Sequence, residues 1–300
     1  MTHRLSFLVA SLAVLVVSAP ASAQRAATDS IPCASCAEWN APQAPFRIFG
    51  NSYWVGTHGL GAILVTSPQG HVLIDGALPE SAPAILGSIR ALGFRVEDVK
   101  LILNSHAHFD HAGGIAELQR ATGAPVAASP WSARVLERGA SDASDPQFGL
   151  LRGYAAVAHV RAIADGDTLR VGPLALVAHF TGGHTPGGTT WSWRSCEGAR
   201  CLDLVYADSQ TPVSADDFLF TRNTTYPSAI ADFEHGFATL EQLPCAVLLT
   251  PHPDASQLWQ RVAARDAGQR DALVNANACR AYAAAARERL QQRIAKERAR

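Results

Sequence analysis

The chain predicts an α/β fold made of two layered halves. Short apolar runs of strand character alternate with stretches at helical spacing, and the order of strands then interleaved helices occurs twice. Ligand-type side chains stand directly after strand-like runs in both halves, His106 to His111 in the first and His184 and His252 in the second. Neither half holds the whole set. The division expected near Val171 therefore lies inside a single domain, residues 24–300, and not between two domains. A chain of 300 residues is long enough to bury a core of that kind.

From Phe46 the chain is strand-rich, with Tyr53–Val55, Ala62–Thr66 and Val72–Asp75 separated by Gly or Pro turns. Ser81–Leu92 has helical spacing and stops at Gly93. The apolar run Val99–Asn104, with its strand at Leu101–Leu103, leads into the histidine cluster. A helix follows over Gly114–Thr122, a short strand over Pro125–Ala128, and a helix from Pro130 to Arg138. Gly139–Ala158 has no clear period and reads as a long surface loop, a kind more often functional than accidental. Strands are expected at His159–Ile163, Leu174–Phe180, Thr189–Trp193 and Leu202–Tyr206. A helix over Ile230–Leu243, a strand over Val247–Leu249 and helices after Ser256 and Asp271 complete the order. The tail Arg287–Arg300 interleaves Glu with Arg and Lys, the pattern of a solvated helix face.

His3-Arg4, the apolar run Leu5–Val17 and Ala21-Ser-Ala23 have the form of a secretory leader, residues 1–23. The run is too short to span a bilayer comfortably. A mature protein in the periplasm, free of the membrane after cleavage, is expected. Net charge is −1 and no Lys/Arg-rich run precedes the final helix, which speaks against a nucleic-acid partner. A monomer acting on a small molecule is expected.

His106-Ala-His108-Phe-Asp110-His111 carries the chemistry. An alternating His-x-His in an extended turn points both rings one way, and Asp110-His111 then turns its side chains elsewhere. One loop thus serves two metals. His184 sits in Thr181-Gly-Gly-His-Thr-Pro-Gly-Gly188, and His252 lies between Pro251 and Pro253. The glycines permit tight backbone paths near an ion, and the prolines lower the entropy of ordering a ligand. Together these are six ligands, enough for two open zinc sites of three each. Three protein ligands leave a position for water, whose pKa zinc lowers to about 7. A pair of zincs roughly 3.5–4 Å apart stabilises both an oxyanion and a leaving group. Asp75, closing its strand, reads as an anchor for the metal loop, whereas His58, His71, His159, His179 and His235 read as core or surface histidines.

The His-x-His-x-Asp-His run, the Gly-Gly-His-Thr-Pro-Gly turn and the late Pro-His-Pro resemble the metallo-β-lactamase superfamily, and within it the class B β-lactamases of subclass B3. The resemblance runs from Ala44 to the final helix. It implies a four-layer αβ/βα sandwich with metals in a cleft along one edge, and two zinc ions per chain. His106, His108 and His184 correspond to a three-histidine zinc site, and Asp110, His111 and His252 to a second. Tyr206-Ala-Asp-Ser209-Gln-Thr211 narrows the subclass, because Ser209 stands where another subclass places a cysteine ligand. The implied reaction is hydrolysis of the β-lactam amide of penicillins, cephalosporins and carbapenems by a zinc-held hydroxide. Asp110 then both binds the second zinc and orients that hydroxide. Ser209 and Thr211, on alternate positions, meet the substrate carboxylate, with ordinary turn residues as the bland reading. Trp39 either walls the cleft or covers a sheet edge. Phe148 and Tyr154 are further substrate-side aromatics. Where some relatives offer an oxyanion-binding tyrosine, this chain has Val213-Ser-Ala-Asp-Asp-Phe218.

Six cysteines behind a leader favour disulfides over thiols. B3 relatives commonly join the pair corresponding to Cys245 and Cys279, which would pin the last helix beside the strand leading to His252. Cys196 and Cys201 flank Glu-Gly-Ala-Arg between strand-like runs and read as a hairpin bridge. Cys33 and Cys36 pair by elimination, the alternative being a redox or zinc CxxC. Two rival functions follow from the same residues. A glyoxalase II-like thioesterase or lactonase would bridge its metals with an Asp near position 208, and Asp208 lies within one residue of that place. A zinc-binding protein without turnover is the other, against which ligand number argues: structural zinc sites are closed by four protein ligands.

Overall fold

The structure, a computed structural model, describes Met1 and residues 31–299. The leader expected at residues 1–23 lies, Met1 apart, outside the described residues. The apolar runs assemble into two sheets. The first, in spatial order, is β1 (Phe46–Phe49), β2 (Ser52–Trp54), β3 (Ile63–Val65), β4 (His71–Ile74), β5 (Val99–Leu103), β6 (Val126–Ala128) and β7 (Val160–Ala162). The second runs β12 (Val247–Leu249), β11 (Arg200–Tyr206), β10 (Thr189–Glu197), β9 (Leu174–Phe180) and β8 (Thr168–Val171). Strands β1 to β4 pair antiparallel through short turns, and β4 to β7 pair parallel. Parallel neighbours need crossovers. Here these contain the helices α2 (Ala82–Ala91), α4 (Ile115–Thr122) and α5 (Pro130–Arg138), while α6 (Ala229–Gln242) lies between β11 and its parallel neighbour β12.

Side-chain alternation sorts the core into three slabs, and so the molecule into four layers. Val72 and Ile74 of β4 face the slab between the sheets, whereas Leu73 faces the helices α2, α4 and α5. In β12, likewise, Val247 and Leu249 point between the sheets. Leu248 meets Phe233 and Phe237 of α6 and Leu290 of α8 (Ala278–Arg298). Because β3 and β4 are covered on both faces, Ile63–Val65 and Val72–Ile74 read as unbroken apolar runs, and the leading His71 of β4 is buried with them. This is the αβ/βα sandwich expected.

Some elements differ from expectation. The pattern of β8 alternates exposed and buried over only four residues, too short to stand out; it puts the crossing between the sheets at residues 163–167. Strand β10 reaches Glu197 and β11 starts at Arg200, so Cys196 faces Cys201 directly. The polar residues Arg194, Ser195 and Glu197 hide that extension in the sequence. Short helices α1 (Cys36–Trp39) and α3 (Phe109–Ala112) were not anticipated, and α7 (Leu258–Asp266) is followed by coil until Ala278. The C-terminal tail is not wholly a solvated face: Glu297 is 3% exposed and ties α8 to residues 220–221. Disulfides join Cys33 to Cys36, Cys196 to Cys201 and Cys245 to Cys279. Among the described residues no helix is long and apolar enough to cross a membrane.

Candidate metal centre

The metal loop begins where β5 ends. Asp75 lies at the end of the neighbouring β4 and is fully buried. Its carboxylate accepts from the Ser105 N–H at 2.7 Å, the Ser105 hydroxyl at 2.6 Å, Asn104 Nδ2 at 3.1 Å and the Tyr206 hydroxyl at 3.0 Å. Asn104 in turn donates to the His106 carbonyl at 2.7 Å. Burial pushes the Asp75 carboxyl up to about 7 against the pull of these donors. The anchoring role read from its position agrees with this geometry. From Phe109 the chain coils into α3, so Asp110 and His111 leave the backbone in different directions from His106 and His108.

Two triads result. His106, His108 and His184 form one group and Asp110, His111 and His252 the other, the ligand atoms within each lying inside 4.8 Å of one another. The groups abut, with the His106 and His111 rings 4.4 Å apart. In the first triad each ring is held from behind. His106 Nδ1–H donates to Asp208 at 2.7 Å, His108 Nε2–H to Asp145 at 3.0 Å, and His184 Nδ1–H to the Thr211 carbonyl at 2.8 Å. Such partners select the tautomer and leave the other nitrogen free as a ligand. In the second triad, Asp110 Oδ2 sits 3.1 Å from His111 Nε2 and 3.3 Å from His252 Nε2.

The donor set fits metal ions. His106 Nε2 is buried without any hydrogen-bond partner, a costly arrangement for a polar atom. Burial, and then crowding by His111, His108 and His184, pulls the His106 ring far below the usual imidazole range. Burial and His108 take His184 down to about 3. These rings are neutral lone-pair donors. Burial alone would raise Asp110, but His111 and His252 outweigh it and hold the carboxyl well below its ordinary value, hence ionised. Neutral imidazoles beside an ionised carboxylate are what borderline-soft zinc takes.

A cleft of about 420 Å3 opens over the triads, lined by Trp39, Ser209, Thr211, Gln147, Leu150 and Val213 among others. Trp39 packs its ring 5.2 Å from that of His252 and so walls the cleft. Ser209 and Thr211 both reach it. The two aromatics expected from the long loop do not. Phe148, 52% exposed, borders a neighbouring cavity with Asp145, and Tyr154 is buried with its hydroxyl donating to the Ala107 carbonyl. Tyr154 props the metal loop. The same loop delivers Asp145, which the sequence reading passed over: one Asp in an aperiodic stretch carries no signal of the ring it will meet. Asp208 belongs to neither triad but backs His106, which departs from the metal-bridging position the thioesterase reading gives it.

The Metallo-beta-lactamase superfamily model matches residues 61–274. Among solved structures, the Rm3 metallo-beta-lactamase is 58% identical with a TM-score of 0.87, over 89% of this chain and 99% of that one. MEM-A1, a subclass B3 metallo-beta-lactamase isolated from a soil metagenome library, is 50% identical with a TM-score of 0.85, over 87% and 99%. A curated relative, the probable metallo-hydrolase YqgX of Bacillus subtilis (strain 168), is 36% identical over 107 residues, 35% of this chain and 49% of its own. The chain spans about half the length of that relative. With this coverage and these triads, the chain belongs to the metallo-beta-lactamase superfamily. Within it the chain stands with the subclass B3 metallo-beta-lactamases. Membership implies metal ions.

Proposed function

We propose that this protein hydrolyses the amide bond of β-lactam antibiotics, using two zinc ions held by His106, His108 and His184 and by Asp110, His111 and His252. The carrying observation is the abutment of two open, three-ligand groups beneath one cleft. Zinc there would supply Lewis acidity to a lactam carbonyl and make a nucleophilic water acidic enough to act near neutrality. The chain's own residues do the rest. Asp110, ionised at the floor of the cleft, accepts a hydrogen bond from the attacking water and aims it at the carbonyl carbon. The C–N bond then breaks and the ring nitrogen leaves with a proton. Ser209 and Thr211 offer hydroxyl donors to the carboxylate that penicillins, cephalosporins and carbapenems carry, and Trp39 shields one side from solvent. The leader-like residues 1–23 and three disulfides support work in the periplasm, an oxidising compartment, and the protein is proposed to act there as a monomer.

Purified protein is expected to open a chromogenic cephalosporin, to contain two equivalents of zinc and to lose activity to a chelator. Asp110→Asn should lower kcat about a hundredfold or more while moving Tm by no more than about 3 °C. Turnover of a glutathione thioester without lactam cleavage would transfer the reading to a thioesterase. Near-native kcat in the variant would remove Asp110 from its role.

A further inference from the structure

Behind β12, away from the two triads, a second cavity of about 210 Å3 lies among the turn Pro253–Ser256, the start of α7 and the first half of α8. Its polar lining includes Arg261, Arg289, Ser256, Gln257, Asn275 and Tyr282. None of its lining residues is acidic. Both guanidinium Nε atoms are shielded from solvent and have no hydrogen-bond acceptor among the described residues. Arg261 spends its terminal nitrogens on the carbonyls of Leu248, Ser256 and Leu273, at 3.0, 2.9 and 2.7 Å. Carbonyls satisfy its donors without cancelling its charge. Burial accordingly lowers the Arg261 pKa, with no carboxylate opposing the shift. Arg289 makes no ion pair or side-chain hydrogen bond among the described residues.

Both guanidinium groups line one small, partly dry space, each with an unsatisfied Nε, and no carboxylate stands in the lining to accept from them. An anion there accepts the orphaned N–H groups as charge-assisted hydrogen bonds. Gln257 is held at φ +53°, a left-handed conformation that a non-glycine residue adopts only under constraint. The Tyr282 hydroxyl is occupied elsewhere, donating to the Asp208 carbonyl at 3.1 Å and accepting from the Gln210 N–H at 3.2 Å. The ring is therefore a fixed side of the cavity and not a ligand. At 210 Å3 the space is below the roughly 300–1,000 Å3 of sites for drug-sized ligands, but takes a small ion with water. We infer that Arg261 and Arg289 form an anion site for a small tetrahedral oxyanion of the phosphate class, separate from the lactam cleft.

The site's existence does not depend on the reaction proposed above. Because phosphate also ligates metals, the measurement has to separate the cavity from the cleft. Calorimetric titration of the metal-loaded full chain with inorganic phosphate, at constant ionic strength, is the experiment, run on the native protein, Arg289→Gln and Arg289→Lys. Binding weakened about tenfold or more in R289Q and largely kept in R289K supports the site. Both variants should keep native Tm without phosphate and native lactam turnover, since Arg289 touches neither triad nor cleft. Identical isotherms in native protein and R289Q would assign all binding to the metal cleft and overturn the inference. Absence of binding, or equal heats with chloride at the same ionic strength, would overturn it too.

Discussion

Each imidazole of the first triad is held at two points, by its backbone and by an acceptor on its far nitrogen. For His108 that acceptor is Asp145, nine-tenths or more out of solvent and carried by a loop that also lines the cleft through Gln147 and Leu150. Burial pulls the His108 ring down, and the charge and hydrogen bond of Asp145, together with Asp110, more than offset it, so the carboxylate holds the ring in place. Asp145→Asn is expected to weaken metal binding about 10–100-fold, measured by competition with a fluorescent chelator. Unchanged metal affinity would mean that Asp145 only closes its loop. At this scale the ligands themselves were legible, because six ligand-type residues next to Gly, Pro and strand ends have few other uses. Their partners were not. Asp145 lies 37 positions from His108, and the Thr211 carbonyl that holds His184 has no side-chain identity at all.

Among the elements, α8 shows how a helix that looks solvated is held. Its Glu297 accepts from the Phe220 and Thr221 N–H groups at 3.2 and 2.9 Å, the Thr221 hydroxyl at 3.0 Å and Arg293 at 2.6 Å. Burial alone would raise this carboxyl, but the donors outweigh it and hold it below its ordinary 4.5. A depressed folded value means the ionised group stabilises the fold. That contribution is complete above the unfolded value near 4.5 and is lost as pH falls through the lower folded one. Glu297→Gln should therefore cost about 2–3 kcal/mol near neutrality. It should also flatten the acid limb of a urea-denaturation stability profile. A variant with the native acid slope would place that limb's origin elsewhere. The Glu/Arg interleaving of the tail was visible in the sequence, but periodic charge does not reveal which Glu will meet backbone donors 76 positions away.

For the whole molecule, the slab between the sheets sets the distance between the two halves of the centre. Trp191 of β10 is fully buried there, and its indole N–H donates to the Asn104 carbonyl at 3.1 Å. The Thr189 N–H donates to the Ser105 carbonyl at 2.8 Å. The second sheet thus grips the metal loop of the first at two consecutive residues. Trp191→Ala is expected to cost about 3–5 kcal/mol in denaturant unfolding. It should also loosen metal binding, because Asn104 then loses the contact that positions the loop. A loss of stability with metal affinity intact would show that Asp75 and the Thr189 contact hold the loop without Trp191.

What the amino-acid order determined by itself was the kind of layer each segment joins and the identity of the metal donors. Both are local properties: apolar period decides which face a strand buries, and ligand chemistry needs only the right atoms at the right turn. Which atoms meet was settled by tertiary structure. The backing of His106 by Asp208 and His108 by Asp145, the burial of Glu297 and the pairing of two arginines around one cavity all join residues far apart in the chain. Such contacts cost loop-closure entropy that only the summed burial of three core slabs offsets, so no short window of sequence contains them.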